Sequence, residues 1–409
     1  MFGQFITLLK VFAEKAGISL DEQRMDTTMF MSNIKKAGRI AIAYDVLVKA
    51  VKAILTGLAA GNLSKVLEPE FKTDTLYRAK ASESDKKLTQ LLNLCKEALD
   101  ILNTLPDASK SDEARILSRF IKEQSVEDEA GKLIPKSKKE ISSDSLQSAY
   151  DEDATYRKKS NVGQSGYVLE IAETCDKDNP FQLITDYAEE ANDVSDVEII
   201  QDRLGIIKAN TGCKDLYVDG GFHSKDVSDT AREQGIELHL TDMSGAEPSK
   251  KLPVTDFEID EVKNTIIRCP GNQVPERAVV SGGQTVAHFP HSACGNCEYR
   301  QFCHTKHKKK DYVVRISLKA VNAGRERAKV QEFKRENTSK RAGIEGSNSA
   351  LKRKGLSKLK VRGKAKSKVV SGLKVAAQNI KRITKYLLGG YKPKTIVVLL
   401  NGIILPNPV

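Results

Sequence analysis

Apolar positions along this chain recur with two different periods, and the change from one to the other divides it. Residues 23–30 (Gln-Arg-Met-Asp-Thr-Thr-Met-Phe) set β-forming side chains around one carboxylate, which predicts a short extended segment. Ile40, Tyr44, Leu47, Val51, Ile54 and Leu58 then recur at three- and four-residue spacing, so they share one face of a helix. A second stripe runs through Leu88, Leu91, Leu92, Cys95, Leu99 and Leu102, and Pro106 stops it by lacking a backbone donor and clashing with the preceding turn. Residues 34–120 are therefore predicted as a mostly helical block whose stripes pack together. Residues 125–145, polar and carrying Gly131 and Pro135, predict an exposed connector.

Strand signals follow closely. Residues 166–175 alternate, 181–188 form a second candidate, and Asp176-Lys177-Asp178-Asn179-Pro180 between them is a turn, so the pair predicts a hairpin. Next come an amphipathic helix at 196–209, a short buried strand at 215–219 that ends in a carboxylate, a helix at 224–235 and a strand at 236–240. Strand, long helical insert, hairpin, helix, strand, helix, strand is an order that predicts a mixed α/β sheet. From 244 to 323 the pattern gives way to irregular sequence with Pro, Gly and Cys, and helix formers return from Arg325.

Charge changes this picture in one place. The chain of 409 residues carries a formal +12, yet between Arg300 and Arg382 26 Lys and Arg face 5 Asp and Glu, so this region holds +21 and the remainder −9. Such a block is the electrostatic footprint of a polyanion, because neutralising phosphates releases condensed counterions. A merely solvated surface would more usually mix both signs. The length allows two or three domains. The chain has no run of about 18 apolar residues, and residues 1–9 lack a basic leader, so neither a membrane span nor a secretion signal is predicted and a cytoplasmic location is expected.

Seven cysteines are an odd number, and four of them crowd together. Cys95, Cys175 and Cys213 read as ordinary buried thiols. Cys269, Cys294, Cys297 and Cys303 form Cys-x24-Cys-x2-Cys-x5-Cys, with His288, His291, His304 and His307 nearby. Four thiolates can close a tetrahedral Zn²⁺ site, and the two-residue gap lets two of them face one ion. The five-residue gap departs from a plain zinc ribbon, so an iron–sulfur cluster and unligated thiols are the alternatives. In a segment with few apolar residues the metal would take the place of a core.

Phosphoryl transfer on DNA uses two hard divalent ions held by a few carboxylates that need not be close in sequence. Asp26 stands in Met-Asp-Thr-Thr-Met-Phe-Met-Ser-Asn-Ile, Asp219 in Leu-Tyr-Val-Asp-Gly-Gly-Phe-His-Ser, and Glu345 in Arg-Ala-Gly-Ile-Glu-Gly-Ser-Asn-Ser-Ala-Leu-Lys. Arg341 lies four residues before Glu345 and Lys352 seven after, so one helical face presents a carboxylate between two cations. Singly, an Asp at a strand end is more often a turn former, and a Glu in a basic helix an ion-pair partner. Asp151 and Asp153 compete with Asp26 for the first position, and His223 reads as a turn residue or a substrate contact.

In these motifs, from about Gln23 to Lys385, the chain resembles the DDE transposases of bacterial insertion sequences. Asp26 is similar to the family's first-strand Asp, Asp219 to its strand-ending Asp before a Gly-containing turn, and Arg341, Glu345 and Lys352 to its Tyr-Arg-Glu-Lys signature, with Thr338 where the Tyr would stand. Gly355, Arg362-Gly363 and the 376–382 ending resemble its closing helix. The resemblance implies an α/β fold: an RNase H-like mixed sheet with a helical insertion after the first strand and a small metal-binding insertion before the last catalytic helix. It divides the chain into a first catalytic strand region (1–33), the helical insertion and linker (34–145), the core (146–243), the cysteine-rich insertion (244–324), the basic catalytic helix region (325–390) and a tail (391–409).

The activity so implied is metal-dependent cleavage and strand transfer of DNA, with Asp26, Asp219 and Glu345 holding Mg²⁺ or Mn²⁺ and Arg341, Lys352, Arg353, Lys354, Arg362 and Lys364 contacting DNA. Expected partners are double-stranded DNA at element ends and target, a second copy of the chain on that DNA, and a separate DNA-binding subunit. That subunit is expected because only 25 residues precede Asp26, where relatives carry a DNA-binding domain. Two other readings share the residues: an inactive remnant that only binds DNA, and an RNase H-like metal-dependent nuclease.

Overall fold

The computed structural model describes residues 2–55, 61–78, 80–106, 108–159, 161–242, 251–308 and 310–389, with 399–400 and 403–404 of the tail. Leu58 and most of the 391–409 tail lie outside the described residues. The chain forms two compact units, residues 1–212 with 344–409, and residues 213–343.

The first unit opens with helix α1 (Phe2–Ala16), absent from the sequence reading of this region. It buries Phe5, Ile6, Leu9, Ala13 and Ala16 at helical spacing. Strand β1 (Glu22–Met31) follows where the alternation predicts it. The predicted helical block comprises α2 (Arg39–Leu55), α3 (Pro69–Leu76), α4 (Ser84–Thr104) and α5 (Asp112–Gln124). Leu47, Val51, Ile54, Leu88, Leu92, Cys95, Leu102, Leu117 and Phe120 make one core there. Residues 125–145 are not a plain connector. Residues 125–135 fold into the hairpin β2 (Ser125–Glu127) and β3 (Leu133–Pro135), with Leu133 in the helical core, and turns follow over 136–145. Three-residue strands are too short for their alternation to be read locally.

Strands β4 (Thr155–Lys159), β5 (Val162–Thr174) and β6 (Ile184–Ala191) complete this unit's antiparallel sheet, with β1 on one edge of β5 and β6 on the other. Cross-strand neighbours share a face, so Asp26, opposite Ile171, lies on the side of Arg24, Glu173, Phe30 and Tyr167. Helix α6 (Asp196–Thr211) covers the other side. Its capping box at Ser195 and Glu198 fixes its start, and its Arg203 bonds Asp186 of β6.

In the second unit the parallel pair β7 (Asp215–Val218) and β8 (Glu237–Leu240) brackets α7 (Lys225–Glu233). Within the segment expected to be irregular, residues 251–308 and 310–317 carry strands instead. After the short pair β9 (Glu258–Ile259) and β10 (Ile266–Arg268) come β11 (Arg277–Ser281), β12 (Gln284–Phe289), the single turn α8 (His291–Cys294), β13 (Thr305–His307) and β14 (Tyr312–Ser317). These last four strands form an antiparallel sheet in the order β11-β12-β14-β13 around Phe289, Val314 and Ile316. Gly282 and Gly283, both at positive φ (57° and 69°), make the two-residue hairpin turn that twists with its strands. That Gly-Gly pair was the signal to read.

Helix α9 (Leu318–Leu351) starts before the predicted Arg325 and contributes residues to both units. A wider turn at 352–356 ends it, with Gly355 at φ +85° in the left-handed region that closes helices. Helix α10 (Lys364–Leu387) returns along the first unit, where Ile344, Leu351, Leu356, Val375 and Ile383 pack with Phe5, Phe30, Tyr167 and Ile171. The chain is thus mixed α/β. None of the helices among the described residues is long and apolar enough to cross a membrane.

Candidate metal and nucleic-acid site

In the first unit Asp26 sits mid-strand in β1. Asn348 on α9 donates its side-chain amide to Asp26 Oδ2 at 3.1 Å. Asn348 is buried, and its own Oδ1 is buried with no hydrogen-bond partner among the described residues. Glu345 precedes Asn348 by one helical turn and is exposed. Beside Asp26 runs a buried ionic network. Glu173 of β5, fully buried, is held by Arg24 at 2.6 Å and Arg382 at 3.0 Å, and Ser347 donates to it as well. Two guanidinium groups and a hydroxyl satisfy the carboxylate, so the network fastens β1, β5, α9 and α10 together.

In the second unit Asp219 follows β7 and opens the turn at Gly220–Phe222, where its Oδ1 accepts from Gly221 N at 2.8 Å. Its Oδ2 lies 3.3 Å from Arg341 of α9. His223 closes the same turn with its backbone N–H to Gly220. Asp151 and Asp153, the competitors for the first position, have structural contacts. Asp151 is buried and accepts from Tyr167 Oη at 2.6 Å and from Ser32 Oγ, while Asp153 accepts from the Lys364 N–H at 2.9 Å, where α10 begins.

The predicted cations have varied surroundings. Lys364 pairs with Glu190 at 2.6 Å, and Arg362 donates to Asn33 O and lies over the Tyr150 ring. Lys352, Arg353 and Lys354 occupy the turn that ends α9. Arg353 reaches Ser349, and Lys354 donates to Gln378 of α10.

Cys269, Cys294, Cys297 and Cys303 line one cavity of about 20 Å³ in the second unit, with Leu252, Phe289 and Val314 behind them. A Cβ on Gly271 would come 3.4 Å from Cys297 Sγ and 3.8 Å from Cys269 Sγ, so glycine keeps that side open. Burial, and then the three neighbouring thiols, push the Cys294 thiol up to about 11. Cys303 is raised chiefly by burial. Four soft donors line this one cavity, although no three of their sulfurs lie within 4.8 Å of one another. Cys95, Cys175 and Cys213 are buried thiols, as read from the sequence.

A further cluster escaped the sequence reading. Asp215, Glu237 and His239 place one ligand atom each within 4.8 Å of one another, an arrangement that could hold a divalent ion. The parallel register pairs Asp215 with Glu237 and Tyr217 with His239, so all four side chains share one face. His239 bonds Asp215 at 2.8 Å and stacks on Tyr217, while Lys329 approaches Glu237 at 3.5 Å. The alternating Glu-Leu-His hints at it, but only the strand pairing brings Asp215 alongside.

No curated protein and no solved structure matches the chain. A family model does match part of it, over a segment that holds the four cysteines, the β11–β14 sheet, α9 with Arg341 and Glu345, and most of α10, and that excludes Asp26 and Asp219. The match covers less than a third of the chain and supports a transposase-type, nucleic-acid-processing function, a family that typically uses divalent metal. Residues 268–384 of this chain are similar to the transposase DDE domain.

Proposed function

We propose that this protein is an insertion-sequence transposase that cuts and joins DNA with Mg²⁺ or Mn²⁺ held by Asp26, Asp219 and Glu345. One observation carries the reading. In the first unit Asn348 bonds Asp26 and stands three residues after Glu345; in the second, Arg341 bonds Asp219. Carboxylate oxygens are the donors such hard cations take, and the orphaned Asn348 Oδ1 marks a polar position that is incomplete beside Asp26. Ions held by these carboxylates would supply activation of the attacking oxygen and stabilisation of the leaving one. The chain's own residues do the rest: Asn348 and Arg341 orient the carboxylates, and Lys352, Arg353, Lys354, Arg362 and Lys364 contact phosphate. Cleavage acts on double-stranded DNA at element ends and target, in the bacterial cytosol or nucleoid, by two copies of the chain.

The cysteine cavity holds structural Zn²⁺ in this reading. A space of about 20 Å³ suits one ion, since a single water already needs ~10–15 Å³. An iron–sulfur cube is far larger. The metal fixes the loops of the β11–β14 sheet and takes no part in the chemistry.

The test is nicking and strand transfer on DNA carrying the element's ends, with and without Mg²⁺, for the wild type beside Asp26→Asn, Asp219→Ala and Glu345→Gln. Transposase predicts metal-dependent nicking and joining that all three substitutions abolish. Nicking without joining would identify a nuclease, and binding with neither an inactive remnant.

A further inference from the structure

We propose that Lys354, Lys374 and Lys381, gathered around Gln378 where the end of α9 meets α10, form a phosphate-binding site that grips the backbone of duplex DNA. The proposal rests on the reading of the chain as an enzyme that acts on DNA and adds to it a specific anchoring point, two of whose lysines the sequence motifs did not single out.

The site is assembled from two elements of the first unit. Lys374, Gln378 and Lys381 follow one another at four- and three-residue spacing on α10 and so share a face. Opposite them, the turn at 352–356 presents Lys354, whose ammonium donates to Gln378 Oε1. The Lys374 ammonium donates to the Lys354 carbonyl at 2.6 Å and lies 3.5 Å from where a Gly355 Cβ would stand. Gly355, at φ +85°, turns the chain at this point. Two ammonium groups are tethered by these contacts, and Lys381 lies exposed beside them.

Electrostatics says what the arrangement is for. Burial holds the Lys354 ammonium below its ordinary range, and the cations Lys381, Arg382 and Lys374 push it the same way. Arg382 is committed to Glu173, which leaves the three lysines as the available donors. Like charges held together cost stability, and a protein keeps such an arrangement where a polyanion supplies the missing charge. Lysine contacts phosphodiesters as a point charge, so three amines presented by two elements can each meet a backbone phosphate. Aromatic side chains are not interleaved among these lysines in the sequence, so base stacking is no part of the recognition.

This reading separates affinity from folding. If the lysines were ordinary surface groups, neutralising them would leave DNA binding as it was. If they were structural, neutralising them would lower stability. A site strained by its own charge does neither: it loses affinity and keeps or gains stability. Lys374 is set aside because its ammonium also caps the end of α9.

The experiment measures binding of the full chain to a labelled DNA duplex without divalent metal, over a salt series, for the wild type, Lys354→Gln, Lys381→Gln, the double variant, and Lys86→Gln on α4 as a control. Each of the two single substitutions is expected to reduce the slope of log affinity against log salt by about 0.9, the value for one phosphate contact. Melting temperatures should stay level or rise, and the control should bind as the wild type does. An unchanged slope, or affinity lost only in step with melting temperature, overturns the site. Failure here is distinct from failure of the proposed function. A chain that cleaves DNA in a metal-dependent way with slopes unaffected by these lysines loses only this site. One that grips DNA through them but never cleaves keeps the site and loses the catalytic reading.

Discussion

Asn348 and Asp26 lie 322 positions apart in the sequence and 3.1 Å apart in the fold, an amide donating to a carboxylate on the strand it covers. The amide nitrogen fixes one oxygen of Asp26 and so presets the direction of the other. Positioning partners of metal-binding carboxylates govern affinity for the ion, commonly by about 10- to 100-fold. Asn348→Leu is therefore expected to raise the Mn²⁺ concentration for half-maximal cleavage by about that factor. Mn²⁺ binding followed by electron paramagnetic resonance gives a readout independent of activity. Wild-type Mn²⁺ affinity in the variant would remove Asn348 from any such role.

The Arg24–Glu173–Arg382 network is a stability element. Glu173 is fully buried between two largely buried guanidinium groups, and its removal takes the shared carboxylate from both. Breaking a buried ion pair from one side costs about 3–5 kcal/mol. Glu173→Ala should lower the unfolding free energy by that order in urea denaturation. A loss below about 1 kcal/mol would show that water reaches the arginines.

Glu170, on the α6 side of the sheet, makes the opposite prediction. Its carboxyl is fully buried, and burial, then the neighbouring Asp186, holds its pKa well above the usual carboxylate range against the opposing pull of Arg203 and the Ala188 backbone. A carboxyl with a raised folded pKa stabilises the fold while protonated. That stability is complete below the unfolded value of about 4.3 and is lost as pH rises through the folded one. Glu170→Gln keeps the shape and removes the titration. The variant should be at least as stable as the wild type at neutral pH, with a flatter dependence of melting temperature on pH. An unflattened profile would assign the dependence to other groups.

Zinc makes a composition-level prediction. The purified protein should carry one zinc per chain by atomic emission and no iron, and Cys297→Ser should release it. Loss of metal should expose the β11–β14 sheet to proteolysis while the α2–α5 block, which has its own apolar core, stays protected. Stoichiometric iron, or a fully reduced protein that holds no metal and resists proteolysis equally, would rule the assignment out.

What the sequence determined by itself was whatever a local period can encode. The stripes of α2 and α4, the alternation of β1 and β5, the strand that delivers Asp219 and the basic stretch that becomes the end of α9 and α10 all follow from spacing within a few turns or a few residues. Helical and strand periods are properties of the backbone, so they survive without knowledge of the partner. Tertiary structure decided everything that depends on which partner arrives. It brought Asn348 to Asp26, closed two arginines on Glu173, set Asp215 beside Glu237 and His239 through a parallel register, and carried Cys269 across 24 intervening residues to the other three cysteines. It also made a sheet within the 244–323 segment, whose strands are too short for a period and are held by pairing with one another. Those contacts are set by packing and strand register over long loops, where free energy is shared among many residues and leaves no mark in any one stretch.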